Sequence, residues 1–421
     1  MMRFPLLIAA AALLPAAAPP PEQVAQAALR AAPVWDGHND VPEQLRERRK
    51  DMLAGFDFRD TTHTAEPANA TRGYPLPAMQ TDLTRLRQGH VGAQFWSVFV
   101  SSSLSEPQAV QATLEQIDVM KRLIARYPTE LQFAASADDV ARAWKAGRIA
   151  SLLGIEGGHQ IGSSLGALRQ MYALGARYMT LTHFKDNGWA DSATDAPLHH
   201  GLTPFGRDVV REMQRLGMLV DLSHTSADTM RDALKVAQAP VIFSHSGAAA
   251  IDASPRNAPD DVLAMLKANG GIIMVDAYPW YVSEATRHWG ADRAAEEARG
   301  KYLNPGDPVA AAASLAAWVA AHPRPEATVS QVADHIDHIA TLIGKDHVGL
   351  GGDFDGIEIT TQGMQDVSTY PALLTELARR GWSQADLEKL ASGNMMRVLR
   401  AAEAYATAHR GDAPIESATV F

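Results

Sequence analysis

Val34-Trp35-Asp36-Gly37-His38-Asn39-Asp40 reads as a short buried strand that ends in a histidine and a carboxylate with one residue between them. Residues i and i+2 of a strand project from the same face. His38 and Asp40 can therefore hold one cation between an imidazole nitrogen and a carboxylate oxygen, donors that suit zinc and similar divalent metals. Alone, a His-x-Asp pair is a weak signal, because chance supplies many of them. Its weight comes from recurrence. Short apolar runs alternate with longer amphipathic stretches along the chain, the pattern of an α/β protein with a parallel sheet. Eight such runs stand out, at 34–40, 94–100, 149–156, 177–183, 219–224, 241–245, 272–276 and 348–353.

Helical patterns fill the intervals, among them 107–127, 164–174, 204–216, 227–237, 259–268 and 329–343. Several begin at a proline or small polar residue and close on a glycine such as Gly175, Gly217 or Gly270. Eight strand–helix units predict a (β/α)8 TIM barrel. An open doubly wound sheet is the alternative; no Gly-x-Gly-x-x-Gly follows the first strand, which argues against a dinucleotide site. Two longer excursions interrupt the repeat, 46–77 after strand one and 278–325 after strand seven. Both leave carboxyl ends of strands, where loops shape a pocket mouth. The second carries Trp280, Trp289 and an Ala-rich helix near Pro308–Ala321, and further helices outside the barrel are expected over 370–409. A single domain over 22–410 and a tail over 411–421 complete the plan.

With 421 residues, 46% hydrophobic and 20% charged, the chain can build one large core. A net charge of -10 and the lack of a basic tract argue against a nucleic-acid partner. Residues 1–18, with Arg3, an apolar run from Phe4 to Leu14 and small Ala16 to Ala18, form a secretory signal pattern. Pro19, Pro20 and Pro21 follow it directly and disfavour a cut just before them, and an uncleaved anchor is the alternative. The run is too short to span a bilayer. The expectation is a secreted or periplasmic protein with no stable membrane anchor. There is no cysteine, so disulfides, a thiolate nucleophile and Cys-ligated zinc are excluded.

In a barrel, side chains at the carboxyl ends of strands converge on one mouth. Six of the expected strand ends carry His38 with Asp40, Glu156, His183, His224, His245 and Asp353. Three histidines with an Asp and a Glu are too many ligands for one tetrahedral zinc with an open position. They fit two metals that share a carboxylate and a hydroxide of near-neutral pKa. Glu156, with two oxygens and a central place in chain order, is the natural bridge. Ser223 and Ser244 precede two of the histidines and read as plain strand-end serines, or as their hydrogen-bond partners. His335 and His338 read as partly exposed residues of an outer helix, and His199-His200 as part of a polar loop near the mouth.

The resemblance is specific at this point. Val-Trp-Asp-Gly-His-Asn-Asp, Gly-Ile-Glu-Gly, Tyr-Met-Thr-Leu-Thr-His, Asn-Gly-Trp-Ala-Asp, Val-Asp-Leu-Ser-His, Val-Ile-Phe-Ser-His-Ser, Arg-Asn-Ala-Pro-Asp-Asp and Gly-Leu-Gly-Gly-Asp-Phe-Asp-Gly resemble the renal (membrane) dipeptidase family of zinc peptidases. The match runs in order from Val34 to Asn394-Met395-Met396-Arg397. It implies a barrel with two Zn2+ per chain that hydrolyses free dipeptides, including those with a D-residue at the carboxyl-terminal position, and it points to a homodimer. Residue by residue, it makes His38 and Asp40 ligands of the first zinc, Glu156 the catalytic bridge, and His224 and His245 ligands of the second. His183 matches the substrate-binding histidine, suited to polarise the scissile carbonyl and stabilise the oxyanion. Arg256 matches the arginine that pairs with the substrate's carboxylate. Asp353 matches the strand-eight carboxylate, which either shuttles a proton to the leaving amine or holds the substrate ammonium; its neighbour Asp355 is the alternative.

Several features depart from the family pattern. Without cysteine the interchain disulfide of animal relatives cannot form, and Ala418-Thr419-Val420-Phe421 carries no lipid-anchor signal. The stretch 278–325 departs most, which leaves side-chain preference open. A lactonase or phosphotriester hydrolase on the same barrel is the rival activity, although a neutral substrate gives Arg256 no partner. A metal-binding periplasmic protein without activity is the remoter reading.

Overall fold

The computed structural model describes residues 19–68 and 74–417, so the expected signal at 1–18 and the last residues of the tail lie outside the described residues. Within them the apolar runs become strands: Val34–Asn39 (β1), Val91–Phe99 (β2), Leu131–Phe133 (β3), Ile149–Glu156 (β4), Ala176–Thr180 (β5), Leu219–Asp221 (β6), Ile242–Phe243 (β7), Ile272–Val275 (β8) and Val348–Leu350 (β9). All pair in parallel, in the order β2-β1-β9-β8-β7-β6-β5-β4, and β2 pairs with β4 to close the ring. This is the expected (β/α)8 barrel; closure removes both sheet edges.

β3 has no counterpart among the eight apolar runs. β2 occupies one edge of β4 from Ala150 to Glu156, so β3 must share the other edge with β5. It takes Ile149–Ser151 and β5 takes the edge from Leu153 onward. β3 thus extends the amino end of the barrel and is not one of its eight staves. Three residues are too few to show a period.

Alternation along the strands sorts the core in two. Trp35, Phe95, Leu152, Tyr178, Leu219 and Ile272 belong to the inner cluster, where Met395, Val398 and Leu399 of the helix Asn394–Ala408 join them. Their neighbours Val34, Trp96, Leu153, Met179, Val220 and Ile273 belong to the cluster shared with the surrounding helices. The helices Pro204–Leu216 and Val329–Ile343 keep the bounds read from sequence. A helix, Val41–Arg49, follows β1 and runs into the first excursion, and the one after β8 holds three: Pro279–Val282, Glu284–Leu303 and Pro308–Ala321. The middle one lacked an amphipathic signature because it buries only Thr286 and Gly300. Among the described residues no helix is long and apolar enough to cross a membrane.

His335 corrects the reading of an outer, partly exposed residue. It is fully buried. Its Nδ1 accepts the Ala248 N–H at 2.9 Å, so Nε2 carries the proton and donates to the Val282 carbonyl at 3.2 Å. It ties the loop after β7 to the loop after β8. His338, half-buried, pairs with Asp260 at 2.8 Å.

Candidate metal centre

Glu156 closes β4 and points inward. Its Oε2 accepts a hydrogen bond from Ser97 Oγ at 2.9 Å and lies 3.4 Å from His38 Nε2. That nitrogen is also 3.3 Å from Asp40 Oδ2 and 3.9 Å from Asp353 Oδ1. The other oxygen, Oε1, lies 3.0 Å from His224 Nε2, 3.4 Å from His245 Nε2 and 3.7 Å from His183 Nε2. One carboxylate therefore faces two groups, His38 with Asp40 and Asp353 on one oxygen, and His224 with His245 and His183 on the other. All of these residues are buried.

The strands end earlier than the sequence pattern implied, so His183, His224, His245 and Asp353 sit just beyond β5, β6, β7 and β9. His224 and Asp353 adopt left-handed backbone, with φ of 63° and 58°, a conformation that costs non-glycine residues about 1–3 kcal/mol and is concentrated at functional sites. Asn39 turns away: its Nδ2 donates to Thr81 Oγ1 at 2.7 Å and its Oδ1 accepts from the Val41 N–H at 3.1 Å. Two glycines make room. A Cβ at Gly154 would fall 2.0 Å from the Tyr178 ring, and one at Gly356 would fall 2.3 Å from Asp40 Oδ2 and 2.6 Å from Asp353 Oδ1.

The surroundings fix one histidine's proton. Asp221 Oδ2 accepts from Ser244 Oγ and from Thr180 Oγ1, each at 2.6 Å. A serine has one proton to give, so Ser244 must accept from His245 Nδ1 at 2.8 Å. His245 then bears a lone pair on Nε2, which faces His224 Nε2 at 2.9 Å. Ser223 accepts the His245 backbone N–H at 3.0 Å. The two serines are thus hydrogen-bond partners of the site and not plain strand-end residues.

The histidines divide electrostatically: at His38 burial is overridden by Tyr178, Glu156 and Asp40, which hold it well above its ordinary range. Burial holds His183 down to about 4, and holds His224 and His245 well below their ordinary range, so all three are neutral donors. Against burial, His38 and His183 and the contacts with His224 and His245 keep the Glu156 carboxyl well below its usual range. Burial, then Asp276 and Asp40, push Asp353 well above. His38 Nε2 and Asp40 Oδ2 have no hydrogen-bond partner although both are buried. Convergent lone pairs, paired carboxylates and unpartnered ligand atoms suit divalent cations of borderline or hard character.

The remaining residues fall into place around this cluster. Asp355 is turned away, its Oδ1 accepting the Gln80 N–H at 2.8 Å and its own N–H donating to Gln80 Oε1 at 2.9 Å. Asp353 alone of the pair reaches the centre. A cavity of ≈ 280 Å³ covers the cluster and exposes Glu156, His183, His224, Asp40 and Asp353 beside Phe99 and Phe184. Arg256 is 1% exposed, with its guanidinium 5.0 Å from the Tyr281 ring centre, Nη2 3.3 Å from the His245 carbonyl, Nη1 3.4 Å from Ser246 Oγ, and Nε unpartnered. His199 bonds the Asn187 carbonyl at 2.9 Å and is not drawn into the cluster.

Several neighbours escaped the sequence reading. Asp276 follows β8 and obeys the strand-end rule that found the others. Glu43 also lines the cavity, and burial and the nearby Asp40 and Glu156 push its carboxyl well above the usual range. Tyr178, whose hydroxyl lies 2.8 Å from His38 Nδ1, carried no local signal beyond its inward parity on β5.

Comparison with known proteins adds relatives. The model of the membrane dipeptidase family (peptidase family M19) matches residues 22–412. Dipeptidase 3 of Macaca fascicularis is 41% identical over 398 residues, 93% of this chain and 70% of that protein. An uncharacterized dipeptidase of Schizosaccharomyces pombe is 42% identical over 397 residues, 91% of this chain and 84% of that protein. The crystal structure of the probable dipeptidase PvdM from Pseudomonas aeruginosa shares the fold, with a TM-score of 0.75 at 23% identity over 91% of this chain and 99% of the other.

Proposed function

Since the chain belongs to the membrane dipeptidase family, peptidase family M19, and is a metallodipeptidase, we propose that it cleaves free dipeptides with two zinc ions held on either side of Glu156. The observation that carries this reading is the division of the Glu156 oxygens between His38 with Asp40 and His224 with His245. Divalent cations held by these residues would supply Lewis acidity, lowering the pKa of water and polarising the scissile carbonyl.

The chain's own groups do the rest. His183, kept neutral by burial, offers an Nε2–H to the oxyanion that develops at the carbonyl. Asp353, whose carboxyl holds its proton more tightly than usual, is placed to pass a proton to the leaving amine or to hold the substrate's ammonium. Arg256 takes the carboxylate of the carboxyl-terminal residue; its long contacts at 3.3 and 3.4 Å and its bare Nε leave donors for that anion. The reading includes dipeptides with a carboxyl-terminal D-residue, a secreted or periplasmic location after signal removal, and a homodimer.

The test is a panel of L,L and L,D dipeptides with their carboxyl-terminal amides, run with metal analysis on wild type and Glu156→Gln. Two zincs per chain, cleavage of the free acids over the amides, and loss of turnover in the variant with its fold intact are expected. Near wild-type turnover in Glu156→Gln, or hydrolysis of lactones in preference to dipeptides, would falsify the reading.

A further inference from the structure

On the far side of Arg256 lies a second cavity of ≈ 650 Å³, larger than the ≈ 280 Å³ over the metal cluster. Tyr281 and Glu358 line both, so the two spaces share a wall. The second cavity is built from the excursion after β8, where Trp280 and Trp289 stack with ring centres 6.3 Å apart and planes 12° apart. Pro255 and Ile359 add further apolar wall.

Its charge is positive. Arg256, Arg287, Arg293 and Arg324 all line it. Arg287 is neutralised by Asp252 at 2.7 Å, and Arg293 faces Glu297 at 3.7 Å. Glu358 is engaged by Trp280 Nε1 at 3.0 Å and by the Tyr278 hydroxyl. Arg324 has no acidic partner among the described residues. Arg256, buried and with Nε unpartnered, is the one group that reaches both this cavity and the backbone of the metal-site residue His245.

We propose that this second cavity receives the side chain of the substrate's carboxyl-terminal residue, and that it favours a bulky aromatic side chain bearing a negative charge at its far end. The proposal rests on the reading that Arg256 binds the substrate carboxylate. Arg256 lines the second cavity and not the first, so a carboxylate held there borders the larger space, with Tyr281 and Glu358 between it and the metal cluster. The tryptophans cover an aromatic ring with apolar surface, and Arg324 meets an anion at the rim.

The experiment compares kcat/KM of the zinc-loaded full chain on Ala-Gly, Ala-Phe and Ala-(4-carboxyphenylalanine), in wild type, Trp289→Ala and Arg324→Gln. Thermal unfolding confirms that each variant is folded. Wild type should prefer Ala-Phe to Ala-Gly by about tenfold or more, the scale of an added apolar contact in a pocket, and the carboxylated side chain should gain a further few-fold. Trp289→Ala should bring the Ala-Phe to Ala-Gly ratio close to one, mainly through KM. Arg324→Gln should remove only the extra gain of the charged ring, and it serves as the surface variant if Trp289→Ala fails to fold. Equal kcat/KM on all three substrates, or selectivity ratios untouched in folded variants, overturns the proposal. Absence of turnover on all three dipeptides in zinc-loaded wild type instead overturns the dipeptidase reading beneath it.

Discussion

The hydroxyl of Tyr178 lies 2.8 Å from Nδ1 of His38, a contact that crosses the barrel interior from β5 to β1. Nδ1 is thereby occupied and Nε2 is left to face Asp40 and Glu156. Groups that hold the second nitrogen of a metal-binding histidine are worth about 10–100-fold in metal affinity. Tyr178→Phe keeps the ring and removes the contact, so zinc affinity is expected to fall by about that factor. Competition against a chelator reads it; unchanged affinity would show that the contact is incidental.

Gly356 separates Asp40 and Asp353, and an added Cβ would come within 2.3 Å of one carboxylate and 2.6 Å of the other. Gly356→Ala should displace both oxygens and reduce the metal retained on the His38 side. Elemental analysis after dialysis should show less metal per chain, with an unaltered circular dichroism spectrum. Full metal occupancy in the variant contradicts the assignment.

Asp353 and Asp355 should part company on mutation. Asp353→Asn keeps the shape and loses the proton-carrying carboxyl, so kcat should drop by about 10²–10⁴-fold with little change in melting temperature. Asp355 instead accepts from the Gln80 backbone and lies outside the cluster. Asp355→Asn should lower the melting temperature more than it lowers kcat. The reverse pattern would exchange their roles.

His335 gives a pH dependence with a definite sign. Burial lowers it from 6.5 to about 4, so the unfolded chain binds the extra proton between those values. Its stabilising contribution is complete above about pH 6.5 and is lost as pH falls toward 4. Asp36 and Asp276, both raised to about 6 by burial, contribute the opposite slope over part of that range. The comparison must therefore be with His335→Gln. Wild type's advantage in chemical denaturation should shrink by about 2 kcal/mol between pH ~7.5 and pH ~5. An advantage that is constant with pH would mean that His335 can take up its proton inside the fold.

Much of the barrel was legible because its signals are local. A strand's period and length are set by a few consecutive residues, and convergence of strand ends at one mouth follows from the closed ring. That logic singles out His38, Asp40, Glu156, His183, His224, His245 and Asp353 from the sequence. It missed β3, which is too short to show a period, and it placed His335 at the surface, because an apolar helix face does not announce which loops will close over it.

By itself, the sequence determined the barrel, the residue types at its mouth and the family to which the chain belongs. Tertiary structure alone decided that Asp353 and not Asp355 enters the cluster, that Ser244 sets the tautomer of His245, and that Tyr178 stands behind His38. These choices rest on a left-handed turn at Asp353 and on contacts between segments as distant as Gln80 and Asp355 or His38 and Tyr178. Propensity and periodicity act over neighbouring residues, whereas the direction of a buried donor is set by whatever the folded chain packs against it.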